Sequence, residues 1–115
     1  MIKRTESSPP GLRVVEAGGL VYMSGATALD RTGGMCDQIR QKLKRLDGFL
    51  ADAELTKSDV IFATVYVMQM NMKSEMNLAW AEYFPLDILP GRATVGVADL
   101  GEDCLIEVQF MAARP

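Results

Sequence analysis

The sequence predicts an α+β domain in which two helices back one mixed sheet of about five strands. Three observations carry this. Met35, Ile39, Leu43, Leu46 and Leu50 recur at helical spacing, and so do Met76, Ala79, Trp80 and Tyr83. Short segments rich in Val, Ile, Tyr and Thr lie before, between and after these two stretches. The chain has 115 residues, enough for one domain and too few for two ordinary ones.

Taken in order, residues 1–10 are polar and turn-prone, and read as a flexible N-terminal lead-in to a single domain over 11–115. Pro9-Pro10-Gly11 signals a turn. Leu12 to Ala17 and Leu20 to Gly25 read as strands joined by Gly18-Gly19, a two-residue hairpin signal. Asp30-Arg31-Thr32-Gly33-Gly34 then breaks the chain before the first helix. Arg40, Lys42, Lys44 and Arg45 flank its apolar stripe and read as a solvated face rather than an RNA-binding ridge.

Val60 to Met70 is apolar on both alternating faces, with Ile61, Ala63, Val65 and Val67 on one, as a covered central strand requires. Lys73 to Phe84 forms the second helix, ended by Pro85. Arg92 to Val97 and Leu105 to Ala112 complete the order β-β-α-β-α-β-β. Two helices cover one sheet face, so a second copy of the chain is expected on the other.

Composition narrows the chemistry. Histidine is absent, which excludes histidine-dependent proteases and histidine-ligated metal sites. Cys36 and Cys104 lie far apart in the sequence and form no metal or redox motif, so they read as reduced packing residues. A net charge of −3 does not suit a protein that lives on nucleic-acid phosphates. No apolar run reaches the ~20 residues of a membrane span. The first residues also lack the apolar segment of a signal peptide, so a cytoplasmic location is expected.

Two charged residues interrupt apolar strands. Alternation puts Arg92 and Thr94 on one side of their strand, and Glu107 and Gln109 together on one side of the last. A structural ion pair accounts for such residues. So does a site, with an arginine fork on a substrate carboxylate and a glutamate positioning a water. Ser24-Gly25, at a strand end, offers a hydroxyl and close backbone approach, or is simply a turn.

The chain resembles the Rid family of reactive intermediate deaminases, the YjgF-type proteins. The resemblance runs from about Gly11 to Ala112. It rests on Tyr22-Met23-Ser24-Gly25, on Asn77 to Phe84, and most specifically on Pro90-Gly91-Arg92-Ala93-Thr94-Val95-Gly96-Val97 followed by Ile106-Glu107-Val108. It implies a chorismate-mutase-like fold and a homotrimer with sites between subunits. It also implies cofactor-independent hydrolysis of enamines and imines such as 2-aminoacrylate to 2-keto acids and ammonia. Carried over by position, Arg92 would clamp the substrate carboxylate and Glu107 would hold the attacking water. Ser24, Gly25, Asn77 and Thr94 would line the pocket, with no metal. Many deaminating members place a tyrosine where Gly11 falls and a cysteine where Thr94 stands. A larger conjugated enamine such as 2-aminomuconate, or carboxylate binding without turnover, is therefore the alternative.

Overall fold

A computed structural model describes residues 1–8 and 12–115, without the side chains of 6–8, 12–13 and 25–27. Its strands are β1 (Lys3–Ser8), β2 (Leu12–Ala17), β3 (Leu20–Thr27), β4 (Val60–Val67), β5 (Gly91–Gly96) and β6 (Ile106–Ala113). The helices are α1 (Met35–Asp52) and α2 (Lys73–Tyr83). One six-stranded sheet runs in the order β1-β2-β3-β6-β4-β5. The β4–β5 pair is parallel, and the other neighbours are antiparallel.

This corrects the expected chorismate-mutase-like arrangement of about five strands. The sheet has six strands, and the element order is β-β-β-α-β-α-β-β. The additional strand, β1, lies within the segment read as a lead-in, and it pairs with β2 from Lys3 opposite Glu16 onward. Lys3-Arg4-Thr5 carries no apolar alternation because β1 is an edge strand, where charge discourages pairing with other chains. The Pro9-Pro10-Gly11 turn lies outside the described residues.

The hairpin is as the glycines predict. Gly18 and Gly19 have φ of +60° and +80°, the two left-handed residues of a type I′ turn. Gly19→Val is expected to cost about 1–2 kcal/mol, because a β-branched residue resists positive φ. A urea unfolding midpoint identical to that of the parent would remove this role.

The core lies between the sheet and the helices. Ile106, Val108, Phe110 and Ala112 of β6 face Ala63, Val65 and Val67 of β4, and all are buried. A register shift between Val60 and Phe62 sends Val60 into the core and leaves Ile61 exposed, which corrects its expected place beside Ala63. The strand also stops at Val67, and Met70–Met72 forms a 3₁₀ turn.

Lys42 is a further correction, since it lies in the core rather than on a solvated face. Gln38, Lys42 and Leu46 share one side of α1 at helical spacing, and all three are fully buried. Gln38 is satisfied there. Its Nε2 donates to the carbonyls of Gly33 and Asp103, and its Oε1 accepts from the Leu105 amide. Among the described residues the Lys42 amine has no hydrogen-bond partner, and it sits 5.2 Å from the rings of both Phe49 and Phe110.

The opposite sheet face carries no helix. Tyr22, Phe62 and Val95 are exposed to 41%, 39% and 44%, so a substantial apolar surface faces outward.

Candidate functional site

β5 forms one edge of the sheet, and Arg92 is its second residue. Arg92 pairs in register with the buried Ala63, which aims it at the helix-covered face. Its guanidinium lies 5.2 Å over the Trp80 ring. Its Nη2 donates to Asn77 Oδ1 at 2.7 Å, and its Nη1 approaches Met76 Sδ at 3.5 Å. Met76, Asn77 and Trp80 lie within one turn of α2, so a single guanidinium reaches all three. Burial lowers the pKa of Arg92, yet an arginine stays charged at neutral pH. With five donors in a fixed fork, it retains capacity for a carboxylate.

The support beneath this arginine is aromatic. Trp80 stacks on Phe110 at 6.1 Å with 11° between the planes, and Phe84 lies 5.0 Å from Trp80. Beside the arginine opens a cavity of about 530 Å³, walled by Trp80, Phe84, Leu86, Leu89 and Pro90 with Asn77 and Arg92 as its polar groups. Its side wall also includes Ala81.

Glu107 is placed elsewhere. It pairs with Tyr66 across β6–β4 and with Thr27 across β6–β3, and it is half-buried on the sheet face without helices. Tyr66 and Gln109 meet on the same face, where the Tyr66 hydroxyl donates to Gln109 Oε1 at 3.4 Å. β3 shifts register between Met23 and Ala26, so Ser24 and Gly25 together oppose Gln109, one β6 residue. Ser24 is half-buried, and the burial of Gly25 lies outside the described residues.

One chain therefore brings Arg92 and Asn77 together, but not Arg92 and Glu107. β4 separates their strands, an offset of about 10 Å, and they project from opposite faces. Thr94 shares the face of Arg92 one alternation further along and is half-buried, outside the cavity lining. Sequence reasoning missed Trp80 as support for the arginine, because its place on the α2 stripe reads as core packing. The spacing of three from Asn77 was the available signal. Leu86 and Leu89, from the turn at Leu86–Ile88, had none, since short irregular segments carry no periodicity.

Among the described residues no group of three or more His, Cys, Asp or Glu could hold a metal ion. No described helix is long and apolar enough to cross a membrane. Cys36 and Cys104 are both free thiols.

Fold and site together define a single-sheet α+β domain with a guanidinium beside an apolar cavity at an open sheet edge. The family profile described as "Endoribonuclease L-PSP" matches residues 2–114. The chain belongs to this family, also called RutC, YjgF or Rid, and its fold is the RutC/YjgF type. It is similar to a RutC family protein of Pyrococcus horikoshii, 35% identical over 96% of this chain and 94% of that protein. It is also similar to the 2-iminobutanoate/2-iminopropanoate deaminase of Salmonella typhimurium, 30% identical over 96% of this chain and 94% of the enzyme. Among solved structures, a conserved Rid family protein from Yersinia pestis is 30% identical, with a TM-score of 0.82 over 95% of this chain and 90% of its own.

Proposed function

We propose that this protein hydrolyses small carboxylate-bearing enamines and imines, of the 2-aminoacrylate type, to 2-keto acids and ammonia. The observation that carries the proposal is the Arg92 fork, buttressed by Trp80 and Asn77 beside an open cavity. The similarity to the Salmonella deaminase supports it.

Arg92 grips the substrate carboxylate through two parallel hydrogen bonds and fixes the adjacent carbon. An enamine first takes a proton on its terminal carbon and becomes an imine. A water positioned by Glu107 then adds its oxygen to the imine carbon, and its proton passes to the nitrogen. The proton of the resulting hydroxyl then also passes to the nitrogen, the carbon–nitrogen bond breaks, ammonia leaves, and the carbonyl of the keto acid forms. Glu107 serves as acceptor and donor of the moving protons.

Because Arg92 and Glu107 occupy opposite faces of one sheet, the active assembly pairs the Arg92 of one subunit with the Glu107 of another. The exposed Tyr22, Phe62 and Val95 supply the apolar surface for that assembly, a homotrimer. Ser24 and the Gly25 backbone lie beside the Glu107 strand and border the same cleft.

The test is keto-acid release from 2-aminoacrylate, generated in situ by a pyridoxal-phosphate dehydratase acting on serine. The parental protein accelerates release over buffer, and Glu107→Gln lowers the rate by about a hundredfold, the scale of general acid–base catalysis. Inactive Arg92→Ala and Glu107→Gln proteins, unfolded and refolded together, regain about a quarter of parental activity through mixed interfaces. No recovery on mixing would overturn the pairing of Arg92 and Glu107 across subunits. No acceleration by the parent, for short or longer enamines, would leave a protein that binds carboxylates without turning them over.

A further inference from the structure

The Arg92 cavity is larger and more apolar than a three-carbon substrate requires. In a single subunit it is an open groove of about 530 Å³, longer than the three carbons of 2-aminoacrylate and open at its leucine rim. Among the described residues, Arg92 is the only charged residue in the lining, and Asn77 is its one amide. The remaining wall is aromatic and aliphatic. Leu86 and Leu89 stand 87% and 48% exposed at its rim, held there by the 3₁₀ turn that follows Pro85. Leucines displayed to water beside a carboxylate-binding group gain from an apolar ligand tail, which removes both surfaces from water.

We propose that this cavity selects 2-imino and 2-enamino monocarboxylates with an apolar side chain of roughly three or more carbons. The carboxylate sits on Arg92, and the tail runs along Trp80 and Phe84 towards Leu86 and Leu89. The inference rests on the deaminase proposal for the reaction, although the binding preference stands without turnover. It also separates two substrate classes. A conjugated enamine with a second carboxylate, such as 2-aminomuconate, would bring an anion into a wall that holds no second cation, and burying an unpaired charge is costly.

The experiment uses the full chain and a graded series. An L-amino-acid oxidase generates imines in situ from alanine, norvaline and norleucine, and keto-acid release is measured for each. In parallel, calorimetry measures binding of pyruvate, 2-oxohexanoate and 2-oxoglutarate. Each buried methylene contributes about fourfold, so the norleucine imine should exceed the alanine imine in kcat/KM by at least about tenfold. 2-Oxohexanoate should bind at least about tenfold tighter than pyruvate, and 2-oxoglutarate more weakly than 2-oxohexanoate. Ala81→Phe, at an exposed wall position of α2, fills the tail channel and brings both ratios towards one.

Turnover of the alanine imine with no gain along the series would overturn the tail preference and leave the deaminase proposal standing. No turnover of any imine, with tight 2-oxohexanoate binding that Ala81→Phe abolishes, would overturn the deaminase proposal and sustain the cavity's preference. Equal binding of all three keto acids would overturn the preference, and so would ratios that Ala81→Phe leaves unchanged.

Discussion

Arg92→Ala is expected to lower kcat/KM for 2-aminoacrylate at least a hundredfold while leaving the state of association unchanged. On the proposed function, the loss follows from removing a charged, two-bond grip on the carboxylate, comparable to deleting a preorganised donor at about 3–4 kcal/mol. The fold should tolerate the change because Arg92 is half-buried on an edge strand. Its partner Asn77 is exposed, so the amide can turn to water once the guanidinium is gone. Arg92→Lys keeps the charge without the fork and should recover only part of the activity. Parental turnover by Arg92→Ala, with sedimentation showing the same assembly, would end the clamp assignment.

Lys42→Met is expected to raise stability at pH 6 by on the order of 4 kcal/mol, with the gain shrinking towards pH 10. Burial, aided by the nearby Arg45 charge and opposed by Glu107, lowers the Lys42 pKa from 10.5 to about 7. An unfolded lysine holds its proton to about pH 10.4. Between these values the unfolded state binds a proton that the folded state lacks, so parental stability rises with pH. Below pH 7 both states are charged, and the folded protein carries the full desolvation cost. The rings of Phe49 and Phe110, each 5.2 Å from the amine, offset part of it. Methionine fills the same volume without an amine that lacks a partner. Guanidinium unfolding of parent and variant from pH 6 to 10 checks this. A stability difference that stays constant across that range would show that Lys42 is not the titrating group.

These two residues also mark how far the sequence was legible. Arg92 stood out because a cation inside an apolar strand breaks the pattern around it. Lys42 did not, since a lysine among Arg40, Lys44 and Arg45 looks like one more surface charge. Its face on α1 is set by the depth of packing against Phe110, which local spacing does not report. The strand β1 went unread for a related reason, because its residues Lys3, Arg4 and Thr5 are exposed at a sheet edge and need no apolar alternation.

Both helices, the hairpin at Gly18-Gly19 and the alternation of the last two strands were legible in the residues alone, because each is written in local periodicity or turn chemistry. So were the side chains that could carry chemistry in a chain without histidine. Tertiary structure alone decided that β6 lies between β3 and β4, and that Arg92 and Glu107 fall on opposite faces with a strand between them. It likewise decided that Trp80, Leu86 and Leu89 converge beside the arginine. Strand order and the meeting of distant segments depend on the packing of whole faces against one another, for which no short stretch of residues carries a signal.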